Sequence, residues 1–164
     1  MIIQLTPSAI KFRNRMSNRL LFNLYLLIKL PLAWAAGTRL QHIETDSCRI
    51  SMPYGWRNQN PFRSIYFAAQ SMAAEMSTGL IAVFAIENCG ESVAMLVSGM
   101  EGSFTKKATA HTTFTCNDGK KMFDAVAETC RTGEPVLVRM RTVGVMDDGT
   151  EVSDFTFTWS VKKR

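Results

Sequence analysis

From Ser153 to Val161 the chain alternates without a break. Ser153, Phe155, Phe157, Trp159 and Val161 fall on one face, and Asp154, Thr156, Thr158 and Ser160 on the other. A period of two marks a strand with one buried face, so the pattern predicts a strand over 150–162. Residues 135–146 read as its partner across the tight turn Asp147-Asp148-Gly149-Thr150. A long strand is predicted over 92–104, where Gly99 and Gly102 imply a bend or bulge. Residues 108–116 are rich in Thr and aromatics, as strands are. A further strand is predicted over 40–52, where Cys48, Ile50 and Met52 alternate with Ser47, Arg49 and Ser51.

Other stretches carry a helical period. Thr6-Pro7 reads as a helix start, with the helix running to about Lys29, breaking near Pro31 and followed by a short turn ending at Gly37. Asn60-Pro61 reads as a second start, because Asn caps free N–H groups and Pro at the first position has none to lose. That helix is expected to reach about Ala85, or to begin a few residues later with Ser64 as its cap. A short helix is expected over 120–131, capped by Asn117 or Asp118. One long apolar helix among five strands implies an α+β fold with the sheet wrapped around that helix. The expected division is an N-terminal helical arm, 1–37, packed on a domain spanning 38–164.

Charge separates the same two parts. The net charge is +5, yet residues 1–43 hold Lys11, Arg13, Arg15, Arg19, Lys29 and Arg39 and no acid, while the rest is close to neutral. A basic arm of this kind can face nucleic acid, anionic lipid or ligand phosphates. No zinc-finger, RNA-binding or helix-turn-helix signature supports the first, so no nucleic-acid partner is expected. Within the arm, "RLLFNLYLLIKLPLAWAAG" (19–37) has basic residues before an apolar run and an Ala-Trp-Ala that loosely resembles a signal-peptidase site. Lys29 and Pro31 interrupt it, and the uninterrupted part is too short to span a bilayer. The expectation is a packed or interfacial amphipathic helix, with peripheral membrane contact through residues 7–36 as one outcome. Cys48, Cys89, Cys116 and Cys130 are irregularly spaced, with no Cys-x-x-Cys and no Cys/His cluster. Buried free thiols in a cytoplasmic protein are the simpler reading, although the even number permits disulfides. No metal or redox cofactor is expected.

The most informative stretch is "NPFRSIYFAAQSMAAEMSTG" (60–79). At helical spacing, Ser64, Ala68, Ser71, Glu75 and Gly79 form a stripe that is small and polar. Ile65, Ala69, Met72, Met76, Leu80 and Val83 fill the adjacent rows as core. The stripe would admit a slim acyl or pantetheine chain, or a closely packed neighbour. A carboxylate there is costly unless paired, and desolvation raises its basicity, which makes Glu75 a candidate general base for a water. The helix start could lend N–H groups to a developing oxyanion. The plainer alternative is a Glu at a dimer seam or paired to an Arg such as Arg57. His111, in a strand, and His42, ahead of the first strand, read as ordinary satisfied or surface histidines, and Ser71 has no adjacent His to build a serine triad.

The layout resembles the hotdog fold. "RNQNPFRSIYFAAQSMAAEMSTG" is similar to the loop and central helix of thioesterase-like hotdog proteins, closest to an uncharacterised branch, and "GSFTKKATA" resembles the strand and basic turn that follow. The resemblance covers nearly the whole chain, arm included. It implies that Glu75, four residues before Gly79, is the carboxylate that acts as base or nucleophile. It puts Asn60 in the place of the polar residue that meets the thioester carbonyl, and Ser64 near the small residue that lets substrate approach. Ser71 and Arg57 are candidate substrate contacts, and Lys106 and Lys107 are candidates for the coenzyme A phosphates. Such proteins are dimers or tetramers with the site between subunits. The chain departs from relatives that carry His-Gly-Gly before the helix, having Asn-Pro-Phe, and neither histidine stands where hotdog dehydratases place theirs. The expected function is hydrolysis of an acyl thioester; the alternative is a non-catalytic protein that holds an acyl or lipid ligand in the same slot.

Overall fold

The computed structural model describes residues 3–164. Three short helices come first: α1 (Pro7–Ser17), α2 (Arg19–Lys29) and α3 (Pro31–Ala35). They are followed by β1 (Arg39–Ile43), β2 (Cys48–Met52), α4 (Phe67–Cys89), β3 (Val93–Phe104), β4 (Thr112–Cys116), α5 (Gly119–Thr132), β5 (Val136–Met146) and β6 (Glu151–Lys163). The six strands form one antiparallel sheet in the order β1-β2-β4-β5-β6-β3. Irregular register in β1, in β3 between Val97 and Gly99, and after Gly144 in β5 breaks the ladder locally. Bulges of this kind add twist and curvature. The sheet stays open and curls over α4, giving an α+β hotdog fold.

α4 is buried on most sides because it is apolar all round. It is long and apolar enough to cross a membrane, yet about two thirds of its most apolar window is buried here against the sheet and α1. The predicted face of β6 is the one that packs inward, with Phe155, Phe157, Trp159 and Val161 all buried. Two polar pins cross the layer: Trp159 Nε1 donates to Thr78 Oγ1 at 3.0 Å, and Ser77 and Thr142 share a hydroxyl hydrogen bond at 2.8 Å. Without these bonds the Trp159 N–H and the Thr142 hydroxyl would be unsatisfied buried groups, whereas Thr78 and Ser77 also donate to Glu75 O and Ala74 O in their own helix.

Four expectations need correction. The first helix breaks at Asn18, whose side chain accepts from Leu20 N and Leu21 N and so caps a new helix. Residues 40–52 are a hairpin rather than one strand, turning at residues 44–47, where Glu44 N donates to Ser47 O. The segment from residue 108 becomes strand only at Thr112. Asn60-Pro61 does not open α4, which starts at Phe67. Asn60 Oδ1 instead accepts from Phe62 N and Ser64 N, an Asx-type turn that closes the loop on itself.

The arm packs antiparallel on α4. Thr6 N donates to Asn88 Oδ1 at 2.8 Å, and the Phe12 ring stacks on Phe84 at 6.0 Å. Asn58 ties the far end of the arm to the loop before α4, donating to Ala36 O and Pro53 O while accepting from Gly55 N.

Candidate functional site

The loop before α4 and the chain after β3 meet to form an open cleft of about 350 Å³. Asn60, Ser64, Ile65, Phe67 and Gln70 line one side, and Phe104, Thr105, Lys106, Lys107 and Ala108 the other. Backbone pairing joins the walls: Ile65 N donates to Ala108 O at 2.8 Å, and Lys107 Nζ reaches Phe62 O at 3.3 Å. The aromatic edge continues inward, with Phe67 edge-on to Phe104 and Phe104 edge-on to Phe155. Sequence reasoning picked four of these residues, Asn60, Ser64, Lys106 and Lys107, and the fold brings them together.

Their side chains are partly committed. Asn60 Oδ1 accepts from Phe62 N, Ser64 N and Ser64 Oγ, and Nδ2 donates to Ser64 Oγ at 3.0 Å. One Nδ2 hydrogen is left for a ligand. Ser64 is buried with its hydroxyl bound to Asn60, so it fixes the loop. The loop holds Arg63 at φ 57°, a left-handed conformation that non-glycine residues rarely adopt. No side chain caps α4, and Tyr66 occupies the cap position, so the first N–H groups of the helix, beginning at Phe67 in the cleft wall, have no side-chain acceptor. Gln70, missed by sequence reasoning, is 4% exposed; Nε2 donates to Ile65 O at 3.1 Å and leaves Oε1 as a buried acceptor with no partner.

Glu75 stands apart from this cleft. It follows Phe67 by eight residues and Gln70 by five, about 12 Å and about 8 Å along the helix axis. It is the only charged residue of α4 before Glu87. Its carboxylate makes no hydrogen bond or ion pair among the described residues, and burial raises its pKa from the ordinary value. One oxygen lies 3.0 Å from where a Cβ on Gly79 would sit, a point 3.3 Å from the Trp159 ring, so Gly79 makes room for both. The arm supplies a neighbour that the sequence did not reveal. Tyr25 of α2 has its pKa raised by burial first and then by the charge of Glu75, with Arg15 acting the other way.

The remaining candidates lie elsewhere. Ser71 Oγ donates to Phe67 O, back into its own helix. Arg57 lines a second cleft of about 340 Å³ with Ala36, Pro53, Tyr54, Gly55, Trp56 and Asn58, and makes no ion pair with Glu75. His111 Nδ1 is 2.8 Å from Asp147 Oδ1 at the surface, and His42 is in β1. Among the described residues no group of three or more His, Cys, Asp or Glu side chains gathers.

The model of a family described as a domain of unknown function, DUF4442, matches residues 18–161. A protein of unknown function from Chlorobaculum tepidum superposes with a TM-score of 0.75 at 13% identity, over 98% of both chains. A Pseudomonas aeruginosa protein described as a probable thioesterase gives 0.71 at 16% identity, over 87% of this chain and 95% of its own. A thioesterase from Staphylococcus aureus, solved with one glutamine changed to alanine, gives 0.60 at 14% identity over 80% and 98%. The same Staphylococcus protein was solved with one glutamate changed to alanine. No curated protein matches the chain in sequence. At these identities the likeness establishes the shared fold.

Proposed function

We propose, for a chain that belongs to the DUF4442 family and shares the hotdog fold, hydrolysis of an acyl-coenzyme A or similar thioester with Glu75 as general base. The observation that carries it is the state of Glu75: a desolvated, unpartnered carboxylate on the central helix, with its proton affinity raised toward the working range of a base. Glu75 would take a proton from water as the water attacks the thioester carbonyl. The free N–H of Asn60 and the open N–H groups of α4 would hold the oxyanion. As the C–S bond breaks, Glu75 would return the proton to the leaving thiolate. In the Staphylococcus thioesterase the replaced glutamine and glutamate stand fifteen positions apart, the same separation as Asn60 and Glu75 here.

Glu75 does not line the cleft of its own chain. The reading therefore includes a homodimer, or a tetramer of two such dimers, in which Glu75 of one copy serves the cleft of the other. β3 is the edge strand on that side, with its outer edge unpaired and Leu96, Met100 and Phe104 exposed. Lys106 and Lys107 at the cleft mouth would meet the coenzyme A phosphates. The test is free-thiol release from short, long and aromatic acyl-coenzyme A esters, beside Glu75→Gln. Turnover falling by about 10²-fold or more in the variant supports the role; equal turnover removes it. Silence of both proteins across the panel, with an acyl ligand found in native mass spectra, would favour a carrier that binds without hydrolysing.

The arm adds a proposal about place. α2 buries Phe22 and Leu26 but exposes Leu20, Leu24, Leu27 and Ile28, and Leu32 and Trp34 continue the exposed apolar surface into α3. Arg19 and Lys29 bracket α2, and no acid occurs before Glu44. An apolar face framed by bases complements an anionic lipid surface. Flotation with phosphatidylserine vesicles, and not with neutral ones, is the expected result. No flotation, or concentration-dependent association through this face without lipid, would give the surface to a second copy instead.

A further inference from the structure

The four cysteines are free thiols that fall into two pairs, a grouping the sequence spacing hides. Cys48 and Cys116 stand opposite one another in the β2–β4 ladder and are wholly buried. Burial raises the Cys48 thiol far from its ordinary value and pushes Cys116 up to about 12, so both stay protonated and inert. Cys89 and Cys130 differ in exposure and in contact. Cys89 ends α4, Cys130 sits in the last turn of α5, and both are partly open to solvent.

Their sulfurs are in contact: the Cys130 thiol donates to Cys89 Sγ at 3.0 Å. A disulfide needs about 2.05 Å, so a closure of roughly 1 Å would make the bond. Cys89 Sγ also accepts from Glu91 N at 3.4 Å. Burial, the hydrogen bond and the charge of Cys89 push the Cys130 thiol up to about 12. Cys130 thus holds its proton as a donor, and Cys89, which accepts two hydrogen bonds and donates only a long one of 3.8 Å to Glu91 O, is the sulfur placed to react first.

We propose that Cys89 and Cys130 are an oxidation site at which a low-molecular-weight disulfide converts the two thiols into an internal disulfide. The Cys89 thiolate attacks one sulfur of the oxidant RS–SR. That S–S bond breaks, one RS⁻ leaves and takes up a proton, and a mixed disulfide remains on Cys89. Cys130 then gives its proton to solvent and attacks Cys89 Sγ, expelling the second RS⁻. The protein loses two electrons and two protons, and the oxidant becomes two thiols. The bond ties α4 to α5 across 41 positions of sequence, where the end of β6 also anchors: Lys163 N donates to Thr129 Oγ1, and Lys163 Nζ pairs with Glu91 at 3.2 Å. This is the opposite end of α4 from the cleft, so oxidation acts on the stability of the helix pair and leaves the cleft residues in place. The inference does not depend on the thioesterase reading.

The experiment incubates the folded, reduced full chain with oxidised glutathione, then measures intact mass, titratable thiols, the cross-linked peptide and the thermal midpoint. The expected result is loss of two hydrogens, half of the thiols still titrating, a Cys89–Cys130 peptide pair, and a raised midpoint that dithiothreitol reverses. Cys130→Ser should stop at a glutathione adduct on Cys89, which shows that the adduct forms and needs its neighbour to resolve. A wild-type chain that keeps all its thiols, that stops at the adduct, or that links Cys48 to Cys116 would overturn the proposal.

Discussion

Replacing Glu75 with Gln should make the protein more stable while removing its chemistry. The carboxylate is desolvated and has no partner among the described residues, and its pKa in the folded state is raised above that of the unfolded chain. At low pH the group is protonated in both states and contributes no difference. As pH rises through the folded value, the unfolded chain ionises more readily, so native stability is lost. Gln has nearly the same shape and never ionises, so it escapes that loss. Each tenfold difference in proton affinity between the two states is worth about 1.4 kcal/mol. The gain is trimmed because the amide is also unpartnered and because solvent reaches the edge of the site. The sign that remains is a gain, and each kcal/mol of it would raise the midpoint by about 2–4 °C for a chain of this size. The assay is thermal unfolding of both proteins at about pH 4 and about pH 8. The curves should coincide at the lower pH and separate at the higher, with the variant melting later. A variant that melts earlier at the higher pH would refute the reasoning, because it would mean that the folded protein supplies the carboxylate with a donor.

Two further perturbations test other parts of the site. Asn58→Ala removes three hydrogen bonds that join the arm, the loop and Gly55, and should cost about 3 kcal/mol in denaturant unfolding; a loss below about 1 kcal/mol would mean that the loop holds without it. Lys106→Glu with Lys107→Glu should raise KM for acyl-coenzyme A several-fold at low salt with little change in kcat, and the effect should shrink once salt shortens the screening length to about 8 Å. An unchanged KM would place the phosphates on another surface.

What could be read from the sequence followed local rules. The β6 alternation was legible because one face meets α4 and the other meets water, and α4 was legible because its apolar run is long. Boundaries failed where one residue type serves two purposes. Asn18 and Asn60 both accept backbone N–H groups, but Asn18 starts a helix and Asn60 closes a loop, and the sequence around each permits either. The cleft was half legible: Asn60 and the lysine pair could be named, yet it is Ile65 bonding Ala108 that brings them together. Tyr25 facing Glu75, and Cys130 touching Cys89, arise from packing between elements some 40 to 50 positions apart, and no local pattern encodes that.

The position of Glu75 in the fold connects its unpartnered carboxylate to the unpaired edge of the sheet. A Cβ on Gly79 would meet both the carboxylate and the Trp159 ring, and Trp159 lies in register with Val97 of β3. The charged group is therefore one strand away from the open edge of the sheet. A second copy pairing along β3 would arrive beside Glu75 and bring its own cleft with it. The same geometry sets a limit on that partner. If it brought a cation into contact with Glu75, the raised proton affinity would be reversed and the base weakened. An interface that serves catalysis must instead keep charge away from Glu75 and present the amide and helix N–H groups to the carbonyl. On that reasoning the apolar residues Leu96, Met100 and Phe104 suit this edge better than the basic surface of the arm, whose bases would quench the group they met.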